Sequence, residues 1–322
     1  MNSASPTPAP QRLTVCVPAS TSNLGPGFDQ LGLALDLPLV VQLEGPIEGG
    51  QHELCLEGAE ASTWPTEGNR LLRAFDEVWR VARPADAAPP RFQFRVRSEI
   101  PLCRGLGSSG AATAAGLFLA AEVLGHESCG GERPSPEQLQ RIGVEIEGHP
   151  DNVIASLHGG CTLGVLLEDG SLRVVQPPVH GSLLFPVAWP STPLSTELAR
   201  AAMPASLCLE DVVWNTRRLA LLLEGLRTAD PDLLLHGVDD RLHTPYRLPL
   251  IDGAKEALEA AREAGAFCAA ISGSGSALVA AHDDVEVAQA IAQAMQDVLA
   301  TRHPKAQSRL LRVDFMGARL RE

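Results

Sequence analysis

The sequence predicts an α+β protein of two domains, and three observations carry that expectation. The chain has 322 residues, about twice the ~150 usual for one domain. Segments with the period-two alternation of strands are interspersed with segments of helical spacing. From about residue 180 the pattern changes. The end then reads helix, strand, glycine loop, strand, helix, strand, an order that suggests a ferredoxin-like half. The expected division is a disordered tail over residues 1–12, an N-terminal domain over 13–170 and a C-terminal domain over 171–322.

Taken in order, MNSASPTPAPQR offers nothing to bury and has none of the apolar stretch of a secretory signal. LTVCV (13–17) reads as a strand, PASTSNLGPGFD as a loop, and PLVVQLE (38–44) as a second strand. GNRLLRAFDEVWRVAR (68–83) spaces Leu71, Leu72, Phe75, Val78 and Trp79 as a helix does, and ADAAPP ends it. RFQFRVRSEI (91–100) alternates Phe92, Phe94 and Val96 with Arg91, Arg95 and Arg97, the mark of a half-exposed strand. After the loop IPLCRGLGSSG comes AATAAGLFLAAEVLG, apolar all round and so expected as a buried helix. A loop over 126–138, a short helix and EIEGHPDNVIASLHGG follow, then a hairpin over 161–176 turning at Asp169-Gly170. The second half gives a strand (GSLLFPVAW), the segment PLSTELARAAMP, Leu-rich helices within 208–240, and DRLHTPYRLPLIDG. It ends on a helix over 253–264, the strand AFCAAI, the loop SGSGS, the strand ALVAA, the helix VEVAQAIAQAMQDVLA and the strand SRLLRVDF.

Composition removes several function classes. A net charge of −13 lacks the basic footprint a nucleic-acid partner requires. No apolar run reaches the roughly 18 residues of a membrane span. Seven scattered cysteines without a CxxC pair favour small buried hydrophobes in a reducing cytoplasm over a zinc or redox motif. Lys255 and Lys305 are the only lysines, and neither follows a glycine-rich loop. P-loop NTPases and protein kinases place a lysine on the nucleotide phosphates, so ATP binding here needs another scheme.

That scheme centres on Gly105-Leu106-Gly107-Ser108-Ser109-Gly110. The letters satisfy GxGxxG, but the dinucleotide reading asks for an acidic residue about 20 positions on and a second buried strand. Position 125 is Gly125, and a Gly/Pro loop follows. No Gly-Lys-Ser/Thr exists for a Walker A loop. Glycines at this place let successive N–H groups point at one anion, and the helix start adds its dipole. A serine pair capping a helix after a tight turn would use the same letters.

IPLCRGLGSSGAATAAG resembles the central motif of the GHMP kinase superfamily. VPASTSNLGPGFDQLGLAL (17–35) and AAISGSGSALVA (269–280) resemble its first and third motifs, in the right order. SNLGPGFDQLGLAL, EGHPDNVIASLHGG and LSTELARAAMP resemble the homoserine kinase family within it. The resemblance implies a ribosomal-S5-domain-2-like N-terminal half, a ferredoxin-like C-terminal half, the substrates ATP and L-homoserine, Mg²⁺, a cytoplasmic setting and a homodimer. It implies that Pro101, Arg104, Gly105, Leu106, Gly107, Ser108, Ser109 and Gly110 bind ATP, and that Ser109 and a glutamate before GHPDN hold the metal. Glu147 is preferred to Glu145, because acids two apart in an extended VEIEG segment face opposite ways. Asn23 and Asp29 are implied at the amino and hydroxyl end of the amino acid, with His149, Asp151 and Asn152 as further contacts. Asp29 either accepts the hydroxyl proton or orients it. Arg200 and Arg247 resemble a carboxylate clamp, which suits a planar fork of donors, with Thr196 beside them. Gly273 lies in a loop expected against the phosphate loop. Locally, GHPDN also reads as a Pro turn whose Asn caps the next helix.

Overall fold

The computed structural model describes residues 12–58, 64, 68–83, 90–126 and 132–321. The tail expected over 1–12 lies outside these except for Arg12, which opens the first strand. Most of the ADAAPP stretch, part of the 126–138 loop and Cys129 also lie outside.

The N-terminal half builds a seven-stranded sheet from β1 (Arg12–Asn23), β2 (Gly27–Ile47), β3 (Glu53–Glu57), β4 (Arg91–Ser98), β5 (Cys161–Leu166), β6 (Leu172–Val175) and the terminal β11 (Arg319–Leu320). The order is β11-β1-β2-β4-β3, with β5 and β6 joined to the start of β2. β2 can serve three partners because it is 21 residues long. It pairs along β1, then gives Leu31–Leu33 to β5 and Leu39–Ile47 to β4. PASTSNLGPGFD is therefore mostly strand, not loop. Ser20, Thr21 and Ser22 are buried polar residues satisfied within the structure, so a polar sequence continues the ladder. Only residues 24–26 turn. In β4, Phe92, Phe94 and Val96 are buried as their alternation requires.

Helices α1 (Arg70–Ala82), α2 (Ser108–Gly125), α3 (Pro136–Glu147) and α4 (Asp151–His158) pack together, with α2 and α4 against β1 and β2. α2 corrects one expectation. It is 18 residues long and apolar enough by length and composition to cross a membrane, but 72% of it is buried inside the protein. Its uniform apolarity reflects neighbours on every side, namely β1 and the three other helices. The helix around VEIE is also longer than expected. It starts at a Ser135–Gln138 capping box and runs twelve residues.

The C-terminal half contains β7 (Leu184–Trp189), β8 (Cys268–Ile271), β9 (Leu278–Ala281) and β10 (Gln307–Arg312), in the antiparallel order β10-β7-β9-β8. α5 (Thr196–Ala201), α6 (Leu209–Thr228), α7 (Pro231–Gly237), α8 (Thr244–Arg247) and α9 (Ala254–Glu263) separate β7 from β8, and α10 (Val285–Ala300) separates β9 from β10. This is the ferredoxin-like order the sequence suggested. Alternation divides the sheet's faces. Cys268, Ala270, Val279 and Ala281 join the core shared with the first half, whereas Ala269, Ile271, Leu278 and Ala280 face a second core under α9 and α10. Both faces are covered, so these strands are apolar throughout.

Candidate active site

The β1–β2 turn, the glycine loop before α2, the α3–α4 junction, α5, α8 and the β8–β9 turn converge on one cleft of about 400 Å³. The three glycine-containing motifs meet there by backbone contact. Ser20 N donates to Leu106 O (3.2 Å), and Ala277 N donates to Arg104 O (2.7 Å). Ser272 Oγ donates to Gly105 O (2.7 Å), and Asn23 Nδ2 donates to Gly273 O (2.8 Å). A methyl group on Gly107 would lie 2.1 Å from Ser20 Oγ, and one on Gly105 would lie 2.1 Å from Ser272 O. Both residues also have positive φ, 69° and 77°. Only glycine lets the loop thread between strands from both halves.

Gly107 stands at the N-cap of α2 and supplies no side-chain cap, and none is found among the described residues. Its first-turn N–H groups and dipole are left for an anion. Gly105, Gly107, Ser108 and Ser109 line the cleft. Pro101, Leu106 and Gly110 are buried beside it and shape the loop from behind. Arg104 points elsewhere, donating to Leu102 O (2.9 Å), Pro190 O (3.1 Å) and Ser191 O (2.5 Å). It braces the loop against the segment after β7.

The VEIE acids are helical, not extended. Residues two apart on a helix point roughly 200° apart, so one acid still faces outward, for a different reason than the expected one. Glu145 is exposed beside Arg141. Glu147 turns in with its side chain 3% exposed. Its carboxylate accepts from Ser109 Oγ (2.8 Å) and Thr113 Oγ1 (2.6 Å).

At the cleft's other end, Asn23 and Asp29 both adopt positive φ, and Asn23 Oδ1 accepts from Asp29 N (3.0 Å). Arg200 forks onto Asp29 at 3.0 and 2.8 Å. Arg247 is only 2% exposed. Its Nη1 donates to Gly273 O (3.2 Å), its guanidinium lies 5.0 Å from the Phe28 ring centre, and its Nε has no partner among the described residues. Burial pulls the Arg247 pKa below its ordinary value, and Asp29 works against that shift. The residues before α8 are fixed by Asp240. It accepts from the N–H groups of Leu242, His243 and Thr244 and from Asn215 Nδ2. Thr196, at the start of α5, sits 3.4 Å from Ser274 Oγ.

His149 Nδ1 and Asp151 Oδ1 lie 2.5 Å apart. For His149, burial lowers the pKa but the Asp151 hydrogen bond and charge outweigh it, so the net shift is upward. For Asp151, burial raises the pKa and the same partner outweighs it, so the net shift is downward. Each partner thus favours the charged form of the other. Asn152 does not cap α4, because Pro150 is the N-cap. Instead Asn152 Nδ2 donates to Ser22 Oγ (3.0 Å) and its Oδ1 accepts from Ser20 Oγ (3.0 Å), tying α4 to β1.

All the expected substrate residues and Glu147 therefore gather in one cleft, and Arg104 faces away from it. Sequence reasoning missed Ser22, Arg70, Cys103, Glu197 and Ser274, which also line the cleft. Arg70 was hidden in an amphipathic helix pattern, where an arginine reads as solvated surface. One end of the cleft offers oxygen donors and N–H groups, and the other offers an acid with two guanidiniums. Among the described residues no three His, Cys, Asp or Glu side chains cluster for a metal. Glu147 and Ser109 would supply a carboxylate and a hydroxyl oxygen. That fits Mg²⁺, which usually takes one or two carboxylates and completes its shell with water and substrate phosphates.

The chain matches the family descriptions "GHMP kinases N terminal domain" over residues 69–160 and "GHMP kinases C terminal" over residues 222–301. It is 43% identical to a homoserine kinase from Prochlorococcus marinus (strain MIT 9313), over 88% of each chain. It is 41% identical to one from Synechococcus sp. (strain WH7803), over 91% of this chain and 92% of that one. The crystal structure of homoserine kinase from Cytophaga hutchinsonii superimposes with a TM-score of 0.82 at 26% identity, covering 98% of this chain and 99% of the other. With the cleft geometry and these matches together, the chain belongs to the GHMP kinases and, within them, to the homoserine kinase family.

Proposed function

We propose that the protein transfers the γ-phosphate of ATP to the side-chain hydroxyl of L-homoserine, giving O-phospho-L-homoserine for threonine biosynthesis. The observation that carries this reading is the polar set facing the phosphate loop, Asp29 with Arg200 and Arg247. An acid beside two arginines suits a zwitterion, with the ammonium at the acid and the carboxylate at the guanidiniums.

The α2 N–H groups, Ser108 and the turn at Gly105 and Gly107 hold the phosphates in place. Mg²⁺, held by Ser109 and Glu147, would neutralise charge on the transferring phosphoryl group. Asn23 and Asp29 receive the amino and hydroxyl end of the acceptor, and Asp29 orients the hydroxyl. A loose transition state asks mainly for this positioning and charge balance. His149, Asp151, Asn152 and Thr196 complete the acceptor pocket, and Gly273 supplies the carbonyl that anchors Asn23 and Arg247. Free thiols on the six described cysteines agree with a cytoplasmic setting.

The test is phosphorus NMR of the product with two acceptors, L-homoserine and 4-hydroxybutanoate, which keeps the hydroxyl and carboxylate but lacks the ammonium. A phosphomonoester from L-homoserine and none from 4-hydroxybutanoate is expected. Equal conversion of both would remove Asp29 from ammonium recognition.

A further inference from the structure

We propose that Arg70 is the cation of the nucleotide-phosphate site, taking the part that a lysine plays in lysine-bearing phosphate loops. This rests on the kinase reading and adds to it a residue that no motif carries. Arg70 opens α1, the helix capped by Asn69, whose side chain accepts from Leu71 N and Leu72 N. The helix start thus fixes where the guanidinium begins. Arg70 Nη1 donates to Ile146 O, and Arg70 Nε lies 3.8 Å from Glu147 Oε1. Glu147 in turn accepts from Ser109 Oγ at 2.8 Å. A single carboxylate therefore separates the guanidinium from the hydroxyl at the start of α2.

The other cations of the cleft are committed elsewhere. Arg200 is forked onto Asp29, Arg247 is buried against Gly273 O, and His149 is paired with Asp151. Arg70 alone among them faces the end where the phosphate loop lies, and its side chain remains 37% exposed while Glu147 is 3% exposed. Beyond Ile146 and Glu147 the described residues give the guanidinium no further partner. Its remaining donors are available to phosphate oxygens, for which a planar fork is well shaped. Glu147 keeps the guanidinium at the cleft before nucleotide arrives. A cation then drawn to Glu147 and Ser109 would free that guanidinium for the phosphates. Because the chain carries a net charge of −13, a local positive charge here also offsets the repulsion an incoming polyphosphate meets.

Binding is tested by calorimetry on the purified full chain, without an acceptor, using ATP, ADP and AMP with Mg²⁺. The proteins are wild type, Arg70→Leu and Arg70→Lys. Arg70→Leu is expected to weaken ATP at least about tenfold and AMP by less than about twofold, with Arg70→Lys between wild type and Leu. Thermal melts check folding, and Arg70→Lys carries the comparison if Arg70→Leu is unstable. Equal weakening of ATP and AMP, or no weakening of ATP, would overturn the assignment of Arg70 while leaving the kinase reading intact. A wild-type protein that binds no ATP would overturn both. In turnover, Arg70→Lys should raise the KM for Mg-ATP and leave the KM of the acceptor unchanged. A purely structural residue would not produce that split.

Discussion

Ser109 and Glu147 share a hydrogen bond of 2.8 Å, a compact oxygen pair at the mouth of the glycine loop. Removing the hydroxyl in Ser109→Ala takes away charge positioning and little packing. The expected result is a kcat lowered roughly 10²-fold with an unchanged melting temperature. An unchanged kcat at saturating Mg²⁺ would contradict the proposal that Ser109 holds the metal. Arg247→Leu should raise the amino-acid KM roughly 10- to 100-fold, the scale of one charge-assisted hydrogen bond, and the KM for ATP far less. The His149–Asp151 pair makes a pH prediction. A His pKa raised above its ordinary 6.5 stabilises below about that value and loses the contribution as pH rises through the folded value. An Asp pKa lowered below its ordinary 3.8 stabilises above that value and loses the contribution as pH falls through the folded one. His149→Gln should therefore destabilise most between about pH 4 and 6.5 and progressively less as pH rises above that window, as read from melting temperatures. At this scale the sequence exposed most of the cleft's lining, because the glycine, serine and acid positions are contiguous in motifs. Arg70 stayed hidden because its role depends on the approach of α1 to the end of α3, which no local pattern records.

The glycine loop depends on two halves of the chain for its shape, so its failure should be local and sharp. Gly107→Ala combines a φ of 69° with a methyl 2.1 Å from Ser20 Oγ. Backbone strain of about 1–3 kcal/mol plus the clash should lower the denaturation midpoint and weaken ATP binding together. A stable variant that still binds ATP would show that the loop can close another way. Element boundaries were less legible than element types. PASTSNLGPGFD reads as loop because serine, asparagine, glycine and proline favour turns. Side-chain hydrogen bonds instead let β1 run to Asn23: Ser20 donates to Asn152, Ser22 accepts from Asn152, and Thr21 accepts from Ser272. α2 was legible as a buried helix, although its length also passes for a membrane span. Apolar composition alone does not distinguish a membrane span from a helix enclosed by a sheet and three helices.

Across the whole molecule, one continuous core joins the first sheet to β7, β8, β9 and α6. Residues 319–320 return as β11 to the first sheet after the second is complete. The hairpin of β5 and β6 spans residues 161–175 within the first sheet. Sheet membership changes between β6 and β7, across residues 176–183. With a shared core and a glycine loop clasped by both halves, thermal unfolding should be a single transition, with calorimetric and van't Hoff enthalpies equal. Two resolved transitions would mean that the halves are held together by the cleft alone. The fold order was legible because the final helix-strand-strand-helix-strand run is distinctive. The shared core was not, because a continuous apolar run shows that a strand has two buried faces without showing what lies against each.

The most direct measurement is ADP release from the purified protein with Mg-ATP and L-homoserine, beside shikimate, mevalonate and no acceptor. Release with L-homoserine alone is expected, since Asp29, Arg200 and Arg247 match a zwitterion. Release with shikimate or mevalonate instead would keep the phosphate loop and contradict the acceptor pocket. ATP binding without release from any acceptor would contradict the kinase reading itself.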